Sequence, residues 1–185
     1  QLNEANISYQ TITEIEPEPT VEHIEEVFQK VAIEDYDLYI GIGGGSVLDA
    51  TKLLSVMNTN DVPLKQMVGI ENVPNKGIPM ILIPTTSGTG SEVTPNAIVT
   101  IPEEELKVGV VSRHLLPDLV ILDPVLTLSL PPKITAATGM DAFTHSFESF
   151  ISNKANPISD MYALESMRLI SRSIVTAYEE GSNLQ

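Results

Sequence analysis

The chain has 185 residues, 42% hydrophobic and 19% charged, which is enough for one domain with a sizeable core, or for one domain and part of a second. Ten basic residues against twenty-five acidic ones give a net charge of -15, which argues against nucleic-acid phosphate or an anionic membrane surface as partner. Cysteine is absent, which excludes disulfides, thiolate metal sites and cysteine nucleophiles and fits a reducing, cytoplasmic setting.

In chain order, residues 1–50 hold eleven acids and one base, Lys30, and most of these acids surround a helical pattern as a solvated face. Ile7–Thr13 can be extended. Thr20 can cap a helix whose apolar positions Val21, Ile24, Phe28 and Val31 share one face. Leu38–Ile42 reads as a short strand that runs into Gly43-Gly44-Gly45, and a helical pattern follows from Ser46 to Met57. Met80–Ile83 is a second buried run. Ala97–Ile101 and Leu106–Val111 flank Pro102-Glu103-Glu104-Glu105 as a hairpin, and Leu119–Leu122 is a further strand. Pro131-Pro132 suits a helix start. Two long helical patterns follow, Ile134–Ser152 and Pro157–Tyr178, split by Asn156-Pro157, with no strand signal between or after them.

This alternation predicts an α/β fold: a mostly parallel sheet with helices on both faces over residues 1–130, then the start of an all-helical domain over 131–185. Two helices alone bury little, so the second domain is expected to be incomplete here. No apolar run reaches the length of a membrane span, and no leader pattern stands at the N-terminus. A chain that begins at Gln1 reads as a piece of a longer protein.

Three stretches carry chemistry. Tyr39–Ser46 places a glycine run between a strand and a helix. Such a turn serves either as a tight steric corner or as an anion cradle, where glycines let the backbone approach a phosphate and the first helical amides point at it. Neither a complete G-x-G-x-x-G nor a Walker A loop is present. Asp49, in the first turn of the same helix, either complements the dipole or points at a ligand hydroxyl. Pro84–Thr94 puts six hydroxyls and two glycines beyond a strand that belongs to a parallel sheet. Open α/β sheets bind ligands at that edge, and beside a glycine cradle the loop predicts a nucleotide-sized cleft. Lys107, on the following hairpin, is a surface charge or a counter-charge to phosphate. In Gly139–His145, Asp141 and His145 lie i, i+4 on a helix, where they form a helical hydrogen bond or half of a divalent-metal site. His23 and His114 have no partner at ligand spacing.

Taken together, Gly43–Ser46, Pro84–Thr94, Leu122-Asp123-Pro124 with Leu126-Thr127, and Ala136–His145 resemble the iron-containing alcohol dehydrogenase family (group III). The resemblance runs from Pro17-Glu18-Pro19-Thr20 to Asn156-Pro157 and the helix after it, and casts the chain as the middle of such a protein. The first strand and helix of the nucleotide domain and most of the helical domain would then be missing. The resemblance implies a Rossmann-like dinucleotide domain and an all-helical metal domain with the active site between them. Gly44, Gly45 and Ser46 would cradle the pyrophosphate, and Thr85 and Thr86 would line the adenosine side. Thr94, Asn96, Lys107 and Leu126 fall where relatives touch the cofactor, and Asp141 and His145 match the first two metal ligands, with two further histidines expected beyond Gln185.

The implied reaction is reversible oxidation of a primary alcohol or diol to an aldehyde, with NAD (or NADP) as hydride carrier and Fe2+ (or Zn2+) as Lewis acid, in a homo-oligomer such as a homodimer. This piece alone is expected to be inactive. The alternatives are a sister glycerol dehydrogenase or maleylacetate reductase and, in another class, a nucleotide-binding module without catalysis. One departure stands out: relatives often carry Asn where this chain has Glu18. A carboxylate there is expected to repel a cofactor phosphate or to disfavour NADP.

Overall fold

The computed structural model describes residue 2 and residues 4–184. Its elements are α1 (Val21–Val31), β1 (Tyr39–Gly43), α2 (Gly45–Thr59), α3 (Leu64–Met67), β2 (Gly69–Ile70), β3 (Met80–Pro84), β4 (Asn96–Ile101), β5 (Leu106–Val111), β6 (Leu119–Val120), α4 (Pro132–Ile151) and α5 (Pro157–Glu179). Short 3-10 turns at 91–93, 102–104, 113–115 and 124–127 join them. No helix among the described residues is long and apolar enough to cross a membrane.

Helix α1 starts where the sequence places it. The Thr20 hydroxyl accepts from the His23 amide at 3.1 Å, which satisfies one of the open donors of the first turn. The buried face is Val21, Ile24, Val27 and Val31, and Phe28 packs at its rim. Residues 7–13 form no strand. Ile12 and Ile15 instead lean on the core, and the chain reaches the sheet only at an isolated bridge between Thr20 and Thr100.

Strands β1, β3 and β6 form a parallel sheet in that order, with Tyr39 opposite Met80 and Gly43 opposite Pro84. A second sheet, β2-β5-β4, joins the β4–β5 hairpin to the two-residue β2. Helix α2 sits between the sheets and touches β1, β3 and β4, and residues 48–57 of it are all buried. On the opposite face of β1, Ile40 and Ile42 stay exposed. The buried apolar cluster runs from Val21 to Leu115 and takes nothing from α4 or α5. Those two helices pack on each other: Gly139 meets Ile174 and the Ser146 and Ser166 hydroxyls lie 2.7 Å apart, so the pair runs antiparallel. Only Ala163 is buried there, while Phe147, Phe150, Met161 and Leu164 are exposed.

Asp118 fixes the register of β6 on β3. Its carboxylate accepts from the Met80 amide at 3.1 Å, its own amide donates to the Met80 carbonyl at 3.0 Å, and Lys76 pairs with it. The Lys76 bond, then the Met80 amide, hold its pKa below the ordinary carboxylate value. A depressed carboxylate stabilises the fold above its unfolded pKa, ~3.9, and loses that contribution as pH falls through the folded value. Asp118→Asn should therefore lower the urea midpoint at pH 7, and the gap between variant and parent should close as the pH drops below that unfolded value.

Candidate functional site

Parallel pairing of β1 with β3 brings the two loops to one edge. The Thr85 amide donates to the Gly43 carbonyl at 2.9 Å, one residue beyond the paired Gly43 and Pro84. Gly44 is the N-cap of α2 and, being glycine, supplies no side-chain cap, so the helix start is left open to a ligand. A Cβ on Gly45 would stand 2.9 Å from the Thr89 side chain, and one on Gly44 would stand 3.5 Å from Thr86. The two loops therefore pack closely against each other, and position 45 has no room for a side chain. Thr85 and Thr86 are half-buried beside the glycine turn.

Ser46 opens onto a third segment. Its hydroxyl accepts from the Glu18 amide at 3.1 Å, and the Glu18 carboxylate reaches Lys107 Nζ at 2.5 Å. Lys107, left open by the sequence, is thus linked to the cradle through Glu18.

Thr94 and Asn96 are held from beneath by Lys52, a residue the sequence reading passed over. Its side chain is fully enclosed, and its ammonium donates to the Asn96 carbonyl at 2.8 Å, the Thr94 carbonyl at 3.1 Å and the Thr94 hydroxyl at 3.3 Å. Asp49 lies 3.4 Å from that ammonium and accepts from the Ile98 amide at 3.0 Å with its other oxygen. Asp49 is therefore neither an exposed dipole partner nor aimed at a ligand; it fastens α2 to β4. Burial pulls the Lys52 pKa down, and Asp49 opposes that. One signal was available: a lone lysine among the apolar residues of 48–57, three residues after an aspartate.

Helix α4 meets the threonine loop directly. A Cβ on Gly88 would stand 2.8 Å from Thr138 Cβ. Thr138, Asp141 and His145 follow at i, i+3 and i+7, which is one stripe of the helix. Asp141 Oδ1 lies 3.5 Å from His145 Nε2, with both side chains about half exposed. They offer one oxygen and one nitrogen donor, but no group of three or more candidate ligands exists among the described residues. Leu126 is half-buried in the turn 124–127, and its neighbour Thr127 lines a small cavity with Ser87, Thr138 and Ile174. A larger hollow beside α1 is rimmed by Glu22, Glu25, Glu26 and Asp61, shares no residue with either loop, and is electrostatically hostile to phosphate.

Comparison with known proteins gives this geometry its context. The sequence model described as "Iron-containing alcohol dehydrogenase" matches residues 1–124. The chain belongs to that family. The model of the family's C-terminal part matches residues 135–185. The sulfoacetaldehyde reductase of Bilophila wadsworthia is 43% identical over 98% of this chain and 47% of its own length. The 1,3-propanediol dehydrogenase of Klebsiella pneumoniae is 39% identical over 100% of this chain and 48% of its own length. Among solved structures, an alcohol dehydrogenase from Oenococcus oeni superposes with a TM-score of 0.94 at 38% identity, covering 100% of this chain and 48% of that one. The sulfoacetaldehyde reductase from Bifidobacterium kashiwanohense in complex with NAD+ gives 0.89 at 33% identity, over 95% of this chain and 47% of that one. The chain spans about half the length of the curated relatives it matches.

Proposed function

We propose that the protein containing this chain is a dinucleotide- and metal-dependent oxidoreductase that interconverts primary alcohols or diols with aldehydes. The observation that carries this reading is the contact of Gly88 with Thr138. Through it the threonine loop abuts the helix stripe that presents Asp141 and His145. The open start of α2 suits the pyrophosphate of NAD or NADP, because Gly44 and Gly45 allow close approach and the helix end favours an anion. Thr85 and Thr86 offer hydroxyls to the adenosine side without adding charge. When bound, the nicotinamide carries hydride and a divalent cation, Fe2+ or Zn2+, polarises the alcohol oxygen.

Asp141 and His145 fit as half of the shell for such a cation. Catalytic sites usually take three protein ligands or more, so the reading requires further ligands from elsewhere in the longer protein, whose relatives are about twice this length. The names of relatives, for sulfoacetaldehyde, long-chain alcohols, 1,3-propanediol and methanol, support an alcohol or aldehyde as the substrate class. The residues 1–130 are read as the cofactor half and 131–185 as the beginning of the metal half.

The test is metal removal. Full-length protein stripped by chelator should lose aldehyde-dependent NADH oxidation and regain it on addition of Fe2+ under anaerobic conditions. A chelated protein that keeps its full rate overturns the metal role. Binding of NADH with no turnover under any metal condition would assign the chain to a nucleotide-binding module.

A further inference from the structure

The segment Pro17–Thr20 crosses from the glycine cradle to the hairpin, and Glu18 is stitched to both. Its amide donates to Ser46 Oγ at 3.1 Å, and its carbonyl accepts from Thr100 Oγ1 at 3.3 Å. The next carbonyl, that of Pro19, accepts from the Thr100 amide at 3.0 Å. Thr100 is the cross-strand partner of Lys107, so the backbone at Glu18 is fastened to the same rung that carries this lysine. Glu18 also holds a left-handed backbone, φ 53°, which residues other than glycine and asparagine seldom adopt. Its carboxylate lies 2.5 Å from Lys107 Nζ, although both side chains are more than half exposed. An exposed ion pair is ordinarily a loose one. Here the glutamate is delivered to the lysine by three hydrogen bonds of its own segment.

This arrangement sets the charge of the cradle. The chain carries -15 overall, and the base that this hydrogen-bonded path connects to Ser46 is already neutralised. We propose that Glu18 is a specificity-determining residue of the dinucleotide mouth: its carboxylate occupies Lys107, and a phosphate-bearing ligand must displace it to use that cation. The proposal rests on the dinucleotide reading above. A ligand without phosphate has no use for the freed lysine, so Glu18 weights binding by ligand charge rather than by shape. Because the pair is exposed, its influence is screened by salt.

Titration calorimetry of the full-length protein with NADH, ADP and adenosine tests this. Glu18→Gln keeps the length and the backbone bonds but removes the charge. It should tighten NADH and ADP by about three- to fivefold, the scale of an exposed ion pair, and leave adenosine unchanged. The gain should shrink as salt rises from 50 to 500 mM. It should also be largely lost in a Lys107→Met background, as expected when two residues are coupled. Three results overturn the proposal: Glu18→Gln matching the parent for ADP, an equal gain for adenosine, or a gain of the same size with and without Lys107. If the parent binds NADH and these results follow, the proposal alone falls. If the parent takes up neither NADH nor ADP, the dinucleotide reading falls and this one with it.

Discussion

Lys52→Met is expected to lower the unfolding free energy by about 3–5 kcal/mol, the range for removing one partner of a buried charge pair. The lysine has no exposed side-chain surface and satisfies the Thr94 and Asn96 carbonyls, the Thr94 hydroxyl and Asp49. Methionine fills similar volume but supplies no donor, so two main-chain acceptors lose the ammonium at once and the nearly buried Asp49 carboxylate keeps the Ile98 amide but loses its counter-charge. Asp49→Asn together with Lys52→Met removes both charges. It should cost clearly less than the sum of the two single variants, since the residues share one network. The pH dependence carries its own sign. Burial depresses the Lys52 pKa, so the folded protein sheds this proton before the unfolded chain does. The group's contribution is therefore complete above the unfolded value, ~10.4, and declines as pH falls through the folded one. The deficit of Lys52→Met should accordingly widen as pH is raised towards that value in urea titrations. A variant within 1 kcal/mol of the parent, with a flat pH profile, would show that the clamp between α2 and β4 is not structural.

The Asp49–Lys52 pair also marks where the sequence stops being legible. Helix α2 can be read from its periodicity and its glycine start, but an Asp–Lys pair at i, i+3 looks like an ordinary surface pair. Its burial comes from β4, whose Asn96 and Ile98 lie more than forty residues further on. The glycine and threonine loops were legible for the opposite reason. Each follows a strand of a parallel sheet, and parallel neighbours deliver their following loops to one edge. The identity of Glu18 was visible as a departure, but its ion pair with Lys107 spans 89 residues and has no local signal. Helix α3 and strand β2 are a single turn and two residues, too short for any period to register. Ile7–Thr13 has the composition of a strand but pairs with no strand among the described residues, and Ile12 packs against the core instead.

His145→Ala and Asp141→Ala should each reduce turnover of the metal-loaded full-length protein by about three orders of magnitude, because a Lewis acid at the reacting oxygen supplies several kcal/mol of transition-state stabilisation. NADH affinity should stay within about twofold of the parent, a change worth less than ~0.5 kcal/mol. The structure separates the two effects. Glycine cradle and threonine loop are bonded to each other through Thr85 and Gly43, whereas α4 reaches them through the packing of Thr138 on Gly88. Asp141 and His145 lie one and two turns further along that stripe and bond no residue of either loop. Folding should also be spared. Both side chains are about half exposed, and truncation at such surface positions usually costs within ~0.5 kcal/mol. The informative readouts are therefore bound metal by elemental analysis and NADH affinity, taken beside the rate. Metal content should fall with the rate while NADH affinity holds. A His145→Ala protein that retains stoichiometric metal and full turnover would leave the Asp141–His145 contact as a helical hydrogen bond and nothing more. Loss of NADH binding in the same variant would instead mean that α4 shapes the cradle itself, and the division of labour between the loops and the helix would have to be redrawn.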